Sequence, residues 1–299
     1  MGANTRAAFR ASGPTARKAD RRAAYDGGSA GGPAPFVGIL DQLSTAPIGA
    51  WSVSRRLTAS YDGPLVRAIR LSDSAQSDFG FDSAGILNTS ALAAWIGGSS
   101  ARLVTIYDQV LSQNVTQETP ANQPAYGEIA GHHNRGASIA ADITDRLVAA
   151  LAVNWSGDQS HALWWVGSMP TPGVSDPILG FVVGNGSFSS GIGINAASTW
   201  WFGGSFLLGG NNTGGIADTN FHHFLKRQAG GVTILRVDGV QIKSAANAYN
   251  FSGTTAVSIG GDSLTGSARP RFFEGAAWSQ DITNDDQSVL ELSSLDFYF

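Results

Sequence analysis

Short hydrophobic runs separated by turn residues dominate the chain from Phe36 onward. The runs are rich in β-branched and aromatic side chains, and Gly, Asn, Asp and Ser recur between them, a pattern typical of strands joined by tight turns. Many short strands with few helices predict an all-β fold, an antiparallel β-sandwich. The clearest predicted strands are Leu65–Leu71, Leu103–Tyr107, Ala162–Val166, Ile178–Val183, Thr199–Leu208, Thr233–Val237, Ala256–Ile259 and Phe272–Trp278.

Two segments depart from this pattern because their apolar residues recur at helical spacing. They are Thr89–Ile96 and Asp285–Leu292, and each follows a Thr or Asn that is able to cap a helix N-terminus. We therefore predict two short helices in an otherwise β-rich chain.

One β-hairpin is specified locally by its turn residues. Gly230-Gly231 separates the run His222–Arg227 from Thr233–Val237, and Asp238-Gly239 then leads into Val240–Ile242. Both dipeptides favour the positive φ angles of tight hairpin turns. The sequence thus predicts three consecutive antiparallel strands.

Composition narrows the class of protein. The chain has 299 residues, 42% of them hydrophobic, with 8 Trp and 15 Phe, which is enough for a sizeable core. Cysteine is absent, so disulfides, thiolate metal sites and a Cys nucleophile are excluded. No apolar run approaches the roughly 18 residues of a membrane-spanning helix. We expect no cofactor, no metal and no membrane partner.

Basic residues are concentrated at the N-terminus. Residues 1–22 hold six basic side chains and one acid, whereas the other 277 residues hold 13 basic and 22 acidic side chains. The acidic body disfavours nucleic acid as a partner. We predict a basic anchoring arm over residues 1–26, a Gly/Pro-rich linker over 27–35 and one sandwich domain over 36–299. The arm's cations are Arg6, Arg10, Arg17, Lys18, Arg21 and Arg22.

Three interpretations of the arm stay open: a solvated tail, an anchor that docks on an acidic partner, and a nucleic-acid-binding arm. The arm lacks the apolar stretch of a secretory signal peptide, so we expect none.

The most distinctive motif lies in the front half of the chain. Residues 52–73 read SVSRRLTASYDGPLVRAIRLSD, followed by DFGFD at 78–82, VTIYDQ at 104–109 and VTQ at 115–117. This series resembles the catalytic domain of arabinofuranosidase B, a module that also recurs in bacteriophage virion proteins. The resemblance implies a concanavalin-like, jelly-roll sandwich.

The back half carries a second resemblance, in the order HHFLKR, ILRVDGVQI and FFEGAAWSQDIT. This order is similar to laminin-G and concanavalin-like sandwiches, and it implies the same fold.

The arabinofuranosidase resemblance implies a retaining glycosidase, which needs two carboxyl groups about 5 Å apart. The segment Gly260-Gly261-Asp262-Ser263 is similar to the family segment that supplies the acid/base, so Asp262 is the candidate for that role. Glu274, in Phe-Phe-Glu-Gly, fits a family position near the site. Asp262 also has a structural interpretation, as a loop residue that binds backbone N–H groups.

The nucleophile is missing from its expected place. The resemblance assigns it to a central strand near Thr199–Gly204, and no Asp or Glu occurs between Asp176 and Asp218, a gap of 41 residues. A shifted alignment would bring Asp218 or Asp238 there. We therefore expect that no residue is catalytic and that both candidate carboxylates named above are vestigial.

Consecutive aromatic residues lie on two predicted strands. Side chains alternate across a sheet, so one member of each pair is expected in the core and the other is available to a sugar ring or a second subunit. The candidates are Trp164, Trp165, Trp200, Trp201 and Phe202.

These observations favour a non-catalytic virion structural protein, such as a tail fibre, spike or capsid decoration subunit, located on the particle. Its partners would be other virion proteins through the arm, further copies of itself and a host-surface glycan. Two alternatives stay open: a carbohydrate-binding module free of any particle, and an active α-L-arabinofuranosidase.

Overall fold

Antiparallel strands build the domain, as the alternating pattern predicts. The computed structural model describes residues 35–127, 138–140, 146–151, 159–168, 176–183, 188–194, 199–203, 212–216, 221–246, 254–260 and 271–298. The predicted arm and nearly all of the predicted linker lie outside these residues. Residues from Phe36 to Phe299 form one unit by their chain contacts.

The described residues contain eighteen strands. The first nine are β1 Gly49–Ser52, β2 Val66–Arg70, β3 Gln76–Phe79, β4 Ala101–Ile106, β5 Val115–Thr116, β6 Ala125–Gly127, β7 Ser138–Ala140, β8 Arg146–Ala150 and β9 His161–Ser168. The others are β10 Asp176–Val183, β11 Phe188–Ile194, β12 Thr199–Gly203, β13 Asn212–Ile216, β14 Phe221–Ala229, β15 Val232–Val237, β16 Val240–Ala246, β17 Thr254–Gly260 and β18 Arg271–Trp278. Each predicted strand overlaps one of these.

The strands pair in two series. One series runs β1-β18-β9-β14-β15-β16, and the other runs through β4, β5, β8, β17, β10, β11, β12 and β13, with β2 beside β4 and β3 beside β2. The short strands β6 and β7 link the two series, since β6 pairs with β4 and β7 pairs with β18. The pairings are antiparallel throughout, which confirms the predicted β-sandwich.

Two hydrophobic clusters lie on opposite faces of the first series. The interior core contains side chains from both series, including Leu103, Trp165, Phe224 and Val257. The outer core contains Trp164, Leu225, Phe273 and Trp278 from the first series, together with Ile39, Leu290 and Tyr298 from segments that cover it. Strands β9, β14 and β18 are therefore buried on both faces.

This arrangement corrects the prediction for the first aromatic pair. Trp165 points into the interior core and stacks on Phe224 with ring centroids 4.5 Å apart, while Trp164 points into the outer core. The two rings do point to opposite faces of β9, as alternating side chains should, but the outer core covers the outer face as well. Both rings are 0% exposed, so neither offers a face to a ligand.

The predicted hairpin is present with its turns as expected. β14 pairs with β15 and β15 pairs with β16, both antiparallel. Gly230 and Gly231 have φ of 57° and 74°, and Asp238 and Gly239 have φ of 50° and 76°. Positive φ at both central residues is the geometry of a type I′ turn.

The two helices begin at their predicted caps. Helix α1 spans Thr89–Ile96, and the Asn88 side chain accepts a hydrogen bond from the backbone N–H of Ala91. Helix α2 spans Asn284–Tyr298, and Thr283 Oγ1 accepts from the N–H of Asp286 at 3.0 Å. Helix α2 extends beyond its predicted end because Tyr298 packs in the outer core. Within the described part of the chain, neither helix has the length and apolar character needed to cross a bilayer.

Strands β9 and β18 approach each other closely at Gly167. A Cβ added there would overlap the carbonyl oxygen of Arg271 and the indole of Trp165. Overpacking a well-filled site forces backbone shifts.

We predict that Gly167→Ala lowers the free energy of unfolding by about 1–3 kcal/mol, because the methyl group would have to displace the β18 backbone. Urea unfolding monitored by Trp fluorescence measures the change. Gly98→Ala is the matched control, since a Cβ at Gly98 meets nothing within 4 Å. Equal stability of the two variants would contradict the packing described here.

Candidate active site

Glu274 is fully buried in the middle of β18 and forms a two-pronged ion pair. Arg55 Nε donates to its Oε2 at 2.8 Å, and Arg55 Nη2 donates to its Oε1 at 2.6 Å. The partners are separated by 219 residues in the sequence. Such fork geometry occupies both carboxylate oxygens.

The end of α2 closes over this pair. The guanidinium of Arg55 lies 4.1 Å from the ring centroid of Phe297, and Tyr298 OH hydrogen-bonds Ser54 Oγ at 2.6 Å. Burial lowers the pKa of Arg55, but the adjacent Glu274 carboxylate outweighs it and the net pKa is raised. Burial and the negative charge of Glu274 both raise the pKa of Tyr298. Glu274 therefore serves the packing of α2 on the sheet, and its side chain is 0% exposed.

The motif at residues 107–109 is also structural. Asp108 is buried and accepts hydrogen bonds from the backbone N–H groups of Ala50, Val110, Leu111 and Gln113. The side chain of Gln109 binds the N–H of Leu57 and the carbonyl of Arg55. Both side chains fix the loops that carry Arg55.

Asp238 does not supply the missing nucleophile. It occupies the β15–β16 turn, where its carboxylate binds His222 Nδ1 at 2.7 Å and the N–H of His223 at 2.9 Å. Asp218 and Asp262 lie outside the described residues. Trp200, Trp201 and Phe202 lie on β12, between β11 and β13.

A polar cluster that sequence reasoning missed lies inside the sandwich. His161 Nε2 and Ser190 Oγ are 2.7 Å apart, and Lys226 Nζ donates to the same Ser190 Oγ. His161 Nδ1 lies 3.0 Å from the carbonyl of Gln159, which only accepts, so Nδ1 carries the proton. The neutral imidazole then accepts from the Ser190 hydroxyl.

This cluster resembles an activated serine in its hydrogen bonds but not in its access. His161, Ser190 and Lys226 are all 0% exposed. Burial lowers the pKa of Lys226 well below its ordinary value of 10.5. Burial, and then the charge of Lys226, lower the pKa of His161. We therefore assign the cluster to the interior of the fold and not to catalysis.

Two small grooves flank residues 38–43. One, of about 230 Å³, is lined by residues that include Leu43, Thr58 and Gln109. The other, of about 200 Å³, has Arg55, Arg56 and Phe297 in its wall. Neither wall contains an Asp or Glu side chain, so neither groove holds a carboxylate pair.

One further acidic residue lies at the end of the β10–β17 pair, at the start of β10. Leu179 of β10 is opposite Ile259 of β17 in antiparallel register. The start of β10 and the end of β17 therefore lie side by side. β10 begins at Asp176, and Asp262 follows the last residue of β17 by two positions in the sequence. Asp176 becomes a candidate catalytic residue only through the register of β10 against β17. In the sequence it is simply the last acid before the 41 residues that contain no Asp or Glu.

We predict that Glu274→Gln lowers the free energy of unfolding by about 3–5 kcal/mol, because it leaves the buried Arg55 charge uncompensated. Asp73→Asn is the control: it breaks an exposed pair with Arg70, whose contribution to stability is small. Denaturant titration of both variants measures the difference. A Glu274→Gln protein as stable as the control would show that the pair is not structural.

We predict that Lys226→Met removes a pH dependence of stability. Burial makes the folded state bind the Lys226 proton less tightly than the unfolded chain does, so stability rises with pH between the lowered pKa and the ordinary lysine pKa. The slope is about 1.4 kcal/mol per pH unit for one proton. Unfolding at pH 7, 8 and 9 should show this rise in the wild type and in the exposed control Lys243→Met, and not in Lys226→Met. If the free energy of unfolding changed equally with pH in all three proteins, Lys226 would not be the cause of the pH dependence.

The front half of the chain is similar in sequence to a known catalytic family. Residues 38–164 match the family model described as "Alpha-L-arabinofuranosidase B, catalytic". An arabinofuranosidase/B-xylosidase of Trichoderma koningii is 31% identical over 106 residues, which are 36% of this chain and 21% of the relative. A probable α-L-arabinofuranosidase B of Aspergillus fumigatus is 31% identical over 107 residues, with the same coverage. The chain thus spans about a fifth of the length of these relatives.

Comparison with solved structures extends the likeness to the fold as a whole. An arabinofuranosidase complexed with arabinofuranosyl-α-1,2-xylobiose aligns with a TM-score of 0.68 at 17% identity, covering 87% of this chain and 64% of that one. A GH54 α-L-arabinofuranosidase soaked with a cyclic sulfate inhibitor aligns with a TM-score of 0.71 at 14% identity and the same coverage.

These findings correct the functional expectation. The matched relatives are fungal arabinofuranosidases, so the predicted virion structural function is wrong, and so is the predicted location on a phage particle. The predicted arm and homo-oligomer stay predictions. Residues 38–164 match the arabinofuranosidase B catalytic family model, and the β-sandwich has a fold similar to that of solved arabinofuranosidases.

Proposed function

We propose that this chain is a glycoside hydrolase domain that removes α-L-arabinofuranosyl groups from glycans. The observation that carries the proposal is the match of residues 38–164 to the catalytic family, supported by the arabinofuranosidases that are 31% identical to this segment. The similarity in fold to a solved arabinofuranosidase covers 87% of this chain, and so extends beyond the matched segment.

In this proposal the reacting carboxyl groups are Asp262 and Asp176. The position of Asp176 at the start of β10, beside the end of β17, supports the pairing. The carboxylates fixed inside the fold, Glu274 and Asp108, are already occupied by Arg55 and by backbone N–H groups.

The proposed chemistry follows the retaining mechanism. Asp262 donates its proton to the glycosidic oxygen as the bond to the anomeric carbon breaks. The Asp176 carboxylate attacks that carbon and forms a glycosyl ester. Water then attacks the same carbon while Asp262 accepts a proton, which releases arabinose and restores both carboxyl groups.

A second candidate function is sugar binding without hydrolysis. The stretch of 41 residues between Asp176 and Asp218 that contains no acid favours it. Under this proposal Trp200, Trp201 and Phe202 of β12 supply the apolar surface on which a sugar ring stacks.

We predict that the protein hydrolyses 4-nitrophenyl α-L-arabinofuranoside and that Asp262→Asn and Asp176→Asn each lower kcat by about 10²–10⁴-fold, because each removes a reacting carboxyl group. Asp285→Asn, at an exposed position in the first turn of α2, is the matched control and should retain wild-type kcat. Release of 4-nitrophenol measures the rate.

Calorimetric titration with an arabinofuranosyl oligosaccharide separates the two candidates. Binding without turnover supports the second candidate and overturns the first. Turnover that survives Asp176→Asn contradicts the assignment of that residue. A wild-type protein that shows no turnover and no binding would contradict both functions.

A further inference from the structure

Two buried polar atoms without partners face each other at the end of the central sheet. Ser168 ends β9 and Arg271 begins β18, and the two residues are directly opposite in antiparallel register. Residues so placed have side chains on one face, with Cβ atoms about 4.5–5.5 Å apart. Arg271 Nε and Ser168 Oγ are both buried, and neither has a hydrogen-bond partner.

The other arginines whose side chains the structure describes all have a partner, unlike Arg271. Carboxylates bind Arg55, Arg67, Arg70, Arg227 and Arg236. Backbone carbonyls bind Arg56 and Arg102. The nearest acid along β18, Glu274, is already held by Arg55. Arg271 therefore lies in the sheet with no compensating anion among the described residues.

An uncompensated cation in a partly buried position is unfavourable. Burial lowers the pKa of Arg271, whereas partner carboxylates raise the pKa of Arg67 and Arg70. Arg271 is only partly buried as a residue, so the outer part of its side chain is open to an incoming ligand, whereas Nε and Ser168 Oγ are covered in the ligand-free structure. An anion bound there would neutralise the charge, and a side-chain shift on binding would satisfy both unpartnered atoms.

We propose that Arg271 and Ser168 form a binding site for an oxyanion, and that its ligand is the carboxylate of an acidic sugar. The planar guanidinium presents parallel N–H donors that match the two oxygens of a carboxylate, and the Ser168 hydroxyl adds a third donor. The oxyanion site rests on the contacts above. The choice of an acidic sugar as ligand rests on the proposed function on glycans.

The test is direct binding to the full chain at constant ionic strength, with sodium glucuronate, sodium sulfate and neutral glucose as probes. We expect glucuronate to bind and glucose not to. Arg271→Gln should weaken glucuronate binding by at least about tenfold and Ser168→Ala by a few-fold, since charged donors contribute more than neutral ones. Lys243→Gln removes an exposed charge and is the matched control, with affinity unchanged.

Stability without ligand gives a second readout. Because Arg271 has no compensating partner in the described part of the chain, Arg271→Gln should unfold at the same or a higher urea concentration than the wild type. A marked loss of stability would reveal a structural partner and overturn the proposal.

The remaining outcomes are also decisive. No binding of glucuronate or sulfate, or equal binding by Arg271→Gln, overturns the site. Sulfate binding without glucuronate binding supports an oxyanion site and overturns the acidic sugar as its ligand. Arabinofuranoside turnover is measured in a separate assay. A protein without turnover can therefore still show the anion site, and a protein without anion binding can still show turnover.

Discussion

The burial of the central strands on both faces is the constraint on which the rest of the structure depends. Strands β9, β14 and β18 lie between an interior core and an outer core, and α2 covers the outer side. A polar group on these strands is therefore left unsatisfied unless it finds a partner inside the protein. Glu274 finds Arg55, and Lys226 finds Ser190. Within the described part of the chain, several side-chain atoms on these strands find none: the indole nitrogens of Trp164 and Trp165, both ring nitrogens of His223 and, at the end of the sheet, Arg271 Nε and Ser168 Oγ.

The same constraint means that the buried polar residues hold the fold together and are not available to react with a substrate. Residues of the family-like motif in the front half, among them Arg55, Asp108 and Gln109, hold loops and strands in place. A carboxylate in the centre of the sheet is therefore committed to structure. In the proposed function, the groups that react with a sugar come from strand ends, where the start of β10 adjoins the end of β17.

Local pattern was enough to predict much of the fold. Alternating apolar residues predicted the strands, and Gly230-Gly231 and Asp238-Gly239 predicted the hairpin turns that the positive φ angles confirm. These features depend on neighbours in the sequence. The second aromatic layer could not be predicted in this way, because Trp164 is covered by Ile39 and Tyr298, which are far away along the chain.

The candidate site was harder to predict for the same physical reason. The resemblance placed Glu274 near the chemistry, whereas the structure pairs it with a residue 219 positions away. No composition or spacing rule reveals such a pair. Asp176 carries no motif of its own, and only the register of β10 against β17 makes it a candidate. The virion interpretation came from the wider occurrence of the module, and fungal arabinofuranosidases proved to be the matching relatives.

Covalent labelling tests most directly whether the reacting carboxylate lies at this strand end. An arabinofuranose-configured cyclic sulfate opens on attack by a nucleophilic carboxylate and leaves an ester that peptide mapping by mass spectrometry can locate. The account predicts a single adduct, on the peptide that contains Asp176. An adduct on Glu274, or no adduct in a protein that hydrolyses arabinofuranosides, would contradict it.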